Sequence, residues 1–499
     1  MESPILTSGE MRAAEEAAFA RGVTAEVLMD EAAAGIARAV FSFFPTPARC
    51  IVFVGKGNNG GDAITAAGLL RSAGWAIELR LVFPEHELGE LPRRKLREYG
   101  KAATILSETV AASRPPRHCV VLDGLLGLGA KPPLREPIRS ACREINQLRR
   151  EQNAFVFAID IPSGLDGDSG EADADCVIAD FTLTIGFAKR GLVADRAINY
   201  VGRLEIIALQ ELHANGATVQ ETVAEACSLR RLLTRRGFNA YKTQFGRVGV
   251  LAGSKGLTGA AVLCSSGALR AGAGLVELFV REDVYAILAS SVPPEVMVKP
   301  LPSYTELPDG AIEVWAIGPG LDHAEAAEIL RLIEKTPQPM VIDADGLNIL
   351  SEKMPVLQRC AGPRLLTPHP GEMKRLFPTD GLSRLEVAKK FCAKYPVTLL
   401  LKGSRTIVAE QGRPCSHNAT GNPGMATGGM GDVLTGVCAA LVAQKLSLYD
   451  AARLGAWLCG RAAELAVFNG RASEESLLPS DVLDHLGAAF NDLLQPSRL

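Results

Sequence analysis

In the first half of the chain, NNGGD at residues 58–62 follows the apolar run CIVFVG and opens a helical pattern. Its backbone amides can therefore converge on an anion at the positive end of a helix. A pyrophosphate fits such a loop. A bare glycine turn with Asp62 as helix cap accounts for the same residues, and the spacing is not the G-x-G-x-x-G of ordinary dinucleotide folds. Asp123 ends the run CVVLD, and Asp160 and Ser163 end NAFVFAIDIPSG, at strand ends of the kind where ligands of open α/β sheets gather. Asn59, Asp123 and Ser163 offer oxygen ligands, a set suited to a hard monovalent or divalent cation; each alone also serves as a turn cap.

The strongest single signal is NPGMATGGMGDVLTG at 422–436, whose glycines lead into the apolar run VLTGVCAALVAQ. The amides around Gly428 to Gly431 make an anion cradle, with Asp432 in the first helical turn. A carboxylate there can accept the proton of a substrate hydroxyl while the amides stabilise a phosphoryl group in transfer. An acid that merely complements a helix dipole leaves the glycine run unexplained. KGSRTIVAE (402–410) reads as strand, turn and strand, placing Lys402, Ser404 and Arg405 against a nucleotide or only against solvent. TPHPGE (367–372) fixes His369 between two prolines, where a structural histidine is commoner than a catalytic one. After further apolar runs come GPG (318–320) and DADGLN (343–348); Asp343 and Asp345 either assist a magnesium nucleotide or cap their turn.

These residues need scaffolds. Between residues 50 and 209, unbroken apolar runs alternate with helical patterns, which predicts βαβ units and a parallel sheet covered on both faces. The first fifty residues read as helices ahead of that sheet. From 210 to 236 the strand rhythm gives way to a polar connector and a short helix, and a second βα series starts at GRVGVLAGSKG (246–256). Helices dominate from Gly431 onward. The glycine signatures of the halves differ, so the expectation is two distinct α/β domains, which 499 residues readily support.

Composition narrows the class. Lys+Arg at 53 against Asp+Glu at 56, with only 5% aromatic residues, lacks the basic footprint and stacking platforms of a nucleic-acid binder. The 11 cysteines include no CxxC pair, which fits free thiols in a reducing compartment. The N-terminal segment carries acids and helical periodicity where a signal peptide needs a basic start, and no apolar stretch is long enough to span a bilayer. A cytoplasmic protein with small phosphate-bearing ligands and no membrane partner is expected.

GNNGGD (57–62), LDGLLGLG (122–129) and AIDIPSGLDGDSG (158–170), in this order, closely resemble the NAD(P)H-hydrate epimerase domain. The resemblance covers about residues 5–213. It implies a Rossmann-like α/β/α sandwich that interconverts the R and S hydrates of NADH and NADPH and binds potassium. Carried over, Asn58, Asn59, Gly60, Gly61 and Asp62, together with Gly127, Leu128, Gly129, Ala130, Lys131, Pro132 and Pro133, would hold the substrate. Asp160 would contact it near the reacting ring, and Asn59, Asp123 and Ser163 would be potassium ligands. Ala63 departs from the glycine common in the family, and its methyl is expected to narrow the loop.

AGSKGLTGAA (252–261), GPGL (318–321), DADGLN, TPHPGE, KGSRT and the 422–436 segment resemble the ADP/ATP-dependent NAD(P)H-hydrate dehydratase domain, of ribokinase-like fold, over about 225–495. That resemblance implies that Ala260, Gly320, His369 and Asp432 lie on the hydrate, with Asp432 as catalytic base. Lys402, Gly403, Ser404, Arg405, Thr406 and Gly431 would lie on ADP or ATP, carried with Mg2+. Tyr241 and Thr243 stand where His and Gly are common, which leaves the role of that segment open.

The expected organisation is thus an epimerase domain at 1–213, a linker at 214–224 and a dehydratase domain at 225–499, in an enzyme that acts on NADHX and NADPHX and forms homo-oligomers. The alternative is a ribokinase-like small-molecule kinase fused to a dinucleotide-binding regulatory domain. A purely binding module gains nothing from Asp160 and Asp432 beside phosphate, and a hydride-transfer enzyme has no use for the second domain.

Overall fold

A computed structural model of the chain describes residues 2–106, 118–214, 219–307, 312–470 and 472–494. It divides into two compact units, Ser3–Val219 and a second made of Gln220–Leu499 together with Met1–Glu2. Residues 215–218 of the expected linker lie outside the described residues.

The first unit runs β1 (Ser3–Leu6), α1 (Ser8–Ala20), α2 (Ala25–Phe43), β2 (Arg49–Val54), α3 (Asn58–Ser72), β3 (Ala76–Leu81), α4 (Glu90–Leu106), β4 (Cys119–Gly124), α5 (Ile138–Gln152), β5 (Phe155–Ile159), β6 (Phe181–Ile185), β7 (Ala188–Lys189), α6 (Ile198–Val201) and β8 (Arg203–Ile207). Its main sheet is parallel throughout, in the order β3-β2-β4-β5-β6-β8. Ile51, Phe53, Val121 and Val156 pack beneath Ile138, Cys142 and Ile145 of α5, while the alternate residues of β2 are buried on the opposite face. Burial on both faces is why these strands read as continuous apolar runs. The chain leaves β2 for β3 on one side and reaches β4 on the other, so the carboxyl ends of β2 and β4 flank a topological switch point, the place where open α/β sheets bind their ligands.

The second unit contains β9 (Glu221–Ala224), α7 (Ala226–Leu229), β10 (Arg247–Leu251), α8 (Thr258–Arg270), β11 (Leu275–Arg281), α9 (Glu282–Ser291), β12 (Val296–Leu301), β13 (Val314–Ile317), α10 (Ala326–Lys335), β14 (Met340–Ile342), α11 (Ala344–Ser351), β15 (Arg364–Leu366), α12 (Pro370–Leu376), α13 (Arg384–Lys394), β16 (Thr398–Leu401), β17 (Ile407–Ala409), β18 (Cys415–Asn418), α14 (Met430–Ala443), α15 (Leu448–Phe468) and α16 (Pro479–Leu494). Its strands lie in the order β12-β11-β10-β13-β14-β15-β16-β17-β18-β9; only the β16-β17 and β17-β18 pairs are antiparallel. One face packs on α8, α14, α15 and α16, the other on α10 to α13. α14 is buried along almost its whole length and touches α8 backbone to backbone: a Cβ on Gly436 would stand 1.9 Å from the Cys264 carbonyl oxygen.

The α/β class expected for both halves is the one that forms. Five strands, β1, β7, β9, β12 and β18, lie where the sequence pattern calls for none. β1 sits among the expected N-terminal helices, and β9, the segment ETVA, lies in the expected connector. Both are four residues long, and β9 is fixed by parallel pairing with β18, a long-range contact that local periodicity does not reveal.

Candidate active sites

At the switch point of the first sheet, α3 begins at Asn58 directly after β2, with Gly57 as its N-cap. Asn59 donates its side-chain amide to the carbonyls of Leu126 (2.8 Å) and Ile159 (3.1 Å), tying together the ends of three strands. The Leu126 amide in turn donates to Ser163 Oγ at 3.1 Å, and Ser163 Oγ donates to Asp123 Oδ1 at 2.7 Å. The three oxygen-bearing residues expected to act together therefore lie on one connected network.

Asp123 is fully buried, and the donors to its carboxylate, the Ser163 amide and hydroxyl and the Leu125 amide, are all neutral. Burial pushes its carboxyl up to about 6 despite those hydrogen bonds. A buried carboxylate held by neutral oxygen-rich neighbours is a site that a hard cation would relieve.

Across the crevice, a Cβ on Gly127 would lie 3.3 Å from Asn59 Cγ and 3.4 Å from Asp160 Oδ2, so the 127–133 turn faces both. Leu128 packs on the Met11, Ala18 and Leu28 cluster, which anchors that turn, whereas Lys131 is largely exposed. Asp62 is buried, and its carboxyl is pushed well up by burial and then by the charges of Asp160, Glu15 and Asp30. Burial and the Asp160 charge likewise raise Glu15. Asn58 is exposed, at the mouth. The Ala63 methyl does not narrow the loop: it is buried against the Cα of Gly124, where a second Cβ would come within 2.4 Å.

In the second unit the carboxyl ends of β10, β13, β14, β15 and β16 share one edge of the sheet. Lys402, just past β16, donates to Asp343 Oδ1 at 2.7 Å, and Thr435 Oγ1 donates to Asp343 Oδ2 at 2.9 Å. A Cβ on Gly431 would come within 3.0 Å of Lys402 Nζ and 3.1 Å of Asp343 Oδ2, so glycine leaves the start of α14 open above this pair. Gly429, the N-cap of α14, takes φ +93°, a conformation that glycine reaches without strain.

Asp432 follows in the first turn of α14. Burial, then the charge of Asp343, raises its carboxyl to about 7, against the opposing pull of Lys402; Asp345 and Glu372 add to the rise. A carboxylate poised there can take a proton near neutral pH.

Gly320, at φ +62°, abuts Ala260, whose Cβ would lie 3.1 Å from a Cβ on the glycine. His369 caps α12: its Nδ1 accepts from the amides of Gly371 (3.0 Å) and Glu372 (3.3 Å), and Nε2 stands 3.5 Å from Glu372 Oε1. In the 402–406 turn, Ser404 is exposed, Thr406 Oγ1 donates to the Gly403 carbonyl at 3.0 Å, and Arg405 is only 3% exposed. The turn thus presents Lys402, Gly403 and Ser404 more openly than the Arg405 guanidinium.

Two family models match the chain: YjeF-related protein N-terminus over residues 25–191 and NAD(P)H-hydrate dehydratase over residues 248–486. The bifunctional NAD(P)H-hydrate repair enzyme Nnr of Moorella thermoacetica is 36% identical over 482 residues, covering 89% of this chain and 88% of its own. The chain belongs to the bifunctional NAD(P)H-hydrate repair enzyme family. Members from Coxiella burnetii (33% identical, 97% of this chain and 98% of the relative) and Escherichia coli (34%, 96% and 92%) align over nearly their whole length. Among solved structures, the ADP/ATP-dependent NAD(P)H-hydrate dehydratase of Bacillus subtilis, co-crystallised with ATP/Mg2+, is 27% identical with a TM-score of 0.47, covering 54% of this chain and 98% of that one.

In this member of the repair-enzyme family, the structure adds residues to both sites that the motifs did not single out. In the first they are Lys189, Thr184 and Glu15, in the second Thr435 and Glu372. Thr435 left a signal, as the one hydroxyl in the apolar run VLTGVCAALV one turn beyond Gly431. Lys189, in GFAKRG, reads as ordinary surface charge, and only the fold buries it.

Proposed function

We propose that the first unit epimerises the R and S hydrates of NADH and NADPH, and that the second dehydrates the S hydrate back to NADH or NADPH with ADP or ATP. The single observation that carries this reading is the coexistence, in a chain of this family, of a carboxylate raised to about 7 at the mouth of a glycine-led helix with a second crevice built around Asp160.

In the second unit, Asp432 takes the proton of the ring hydroxyl as its oxygen attacks the terminal phosphorus of the nucleotide, leaving AMP from ADP or ADP from ATP. Phosphate then departs with the C–O bonding electrons as the ring loses a proton, restoring the double bond. Phosphate leaves where hydroxide would not. Gly431 and the α14 amides face the phosphoryl group, Lys402 supplies positive charge, and Lys402, Gly403, Ser404, Arg405 and Thr406 line the nucleotide side. Ala260, Gly320 and His369 border the hydrate.

Among the described residues no group of three His, Cys, Asp or Glu side chains forms a metal cage. The surplus of Asp432, Asp343 and Asp345 over Lys402 suits a Mg2+ ion shared with nucleotide phosphates rather than a dedicated protein site. In the first unit, Asn59, Asp123 and Ser163 would hold potassium, which offsets the buried carboxylate, while the 58–62 loop, the 127–133 turn and Asp160 hold the hydrate. An epimerase joined to an epimer-specific dehydratase drains both forms of the damaged pool. This reading carries with it a cytoplasmic, homo-oligomeric enzyme; no described helix is long and apolar enough to cross a membrane.

The test supplies mixed NADH hydrates with Mg2+ and ADP or ATP and follows reduced-nicotinamide absorbance alongside phosphate release. Recovery of both epimers supports the reading. Recovery of neither with either nucleotide removes it, and a stable phosphorylated product in place of NADH favours the kinase alternative.

A further inference from the structure

Asp160 adopts φ +65°, a backbone conformation that an L side chain holds only under constraint. The constraint is a closed ring of hydrogen bonds. Lys189 Nζ donates to Asp160 Oδ1 at 2.5 Å, to the Ile185 carbonyl at 2.8 Å and to Thr184 Oγ1 at 3.1 Å. The Ile185 amide donates to the same Oδ1 at 3.2 Å, and the Asp160 amide donates to the Leu183 carbonyl at 2.8 Å. Oδ1 is thereby occupied, and Oδ2 is the oxygen that faces the Gly127 turn.

Lys189 is 1% exposed and its ammonium is enclosed by protein acceptors, so it does not itself meet a ligand. Its backbone is fixed in register with Leu6 of β1, Gly186 between β6 and β7 takes φ +74°, and the Lys189 side chain reaches back to the Ile185 carbonyl. Burying an ammonium costs several kcal/mol unless it is paired, and an apolar side chain of similar length would fill the space without that cost. The structure instead places a cation where Asp160, Asp62 and Glu15 crowd together.

We propose that Lys189 is a positioning residue of the epimerase site: it pins Asp160 Oδ1, presents Oδ2 alone to the hydrate and balances the charge of the acid cluster. The inference rests on the epimerase reading above.

The experiment uses the full-length enzyme with the purified R hydrate of NADH, ADP and Mg2+, and the S-hydrate rate of each sample normalises for active protein. Lys189→Met is expected to lower kcat for the R hydrate about 100-fold, equivalent to about 2.7 kcal/mol, with KM within a factor of three. The Asp160→Asn/Lys189→Met double variant should be no slower than Asp160→Asn alone. Thr184→Val, which removes one Lys189 acceptor, should lower kcat several-fold with KM little changed, and it decides the matter if Lys189→Met does not fold.

Equal kcat in the variants overturns the inference. So does a slower variant whose defect multiplies with that of Asp160→Asn, since that marks a general packing role. A wild-type enzyme that converts the R hydrate no faster than the spontaneous reaction removes the epimerase reading itself, whereas a fast wild type with an equally fast Lys189→Met removes only the role of Lys189.

Discussion

Lys402 and Asp343 form an ion pair of 2.7 Å at the floor of the α14 cradle, with the Asp343 side chain 2% exposed and its second oxygen held by Thr435. Removing the cation leaves a buried carboxylate without its counter-charge, a change that costs about 3–5 kcal/mol. Lys402→Met is therefore expected to lower the unfolding midpoint of the second unit by several degrees in calorimetry and to weaken ADP binding. The Lys402→Met/Asp343→Asn double variant should regain much of the stability and none of the dehydratase activity.

Asp432 gives a pH signature with a definite sign. Its carboxyl is raised from an ordinary value of 3.8 to about 7, first by burial and then by Asp343. Between those limits the folded chain holds a proton that the unfolded chain releases, so the contribution to stability is complete below pH ~4 and is lost as pH rises through about 7. Asp432→Asn never ionises. It should unfold later than the wild type at pH 8, by about 1–4 kcal/mol, with the gap closing toward pH 4, and it should lose dehydration while retaining nucleotide binding. Equal stability at both pH values would count against the assignment.

The Asn59, Asp123 and Ser163 network should respond to potassium. Replacing choline chloride by KCl at fixed ionic strength is expected to raise the thermal midpoint of the first unit, as ligand binding to the folded state requires. Asp123→Asn should lose most of that response. Since burial raises Asp123 to about 6, the response should also weaken as the pH is lowered below about 6, where protonation competes with the cation.

Close packing of α8 on α14 makes a separate prediction. A Cβ at Gly436 would stand 1.9 Å from the Cys264 carbonyl oxygen, a backbone atom with no rotamer to yield. Gly436→Val should destabilise the second unit by more than about 2 kcal/mol in denaturant titration and displace the start of α14, lowering dehydratase turnover even in the protein that remains folded.

Much of this was legible in the residues. Apolar runs such as CIVFVG and CVVLD announce strands buried on both faces, and the glycine loops after them mark the crevice edge, because backbone close to a ligand or to a neighbouring helix tolerates little else. The sequence by itself therefore determined two α/β units and the glycine loops at their strand ends, and it pointed to Asp160 and Asp432 as the candidate acids there. Tertiary structure decided what surrounds the acids. Strands as short as ETVA and the Ala-Lys pair of β7 take their conformation from distant partners. Lys189 lies 29 residues from Asp160, and Thr435 lies 92 from Asp343, yet each pair is within hydrogen-bond reach. Charge and burial depend on distance in space, so the partner that holds Asp160, and the burial and neighbouring carboxylates that raise Asp432, exist only once the sheets have brought their carboxyl ends together.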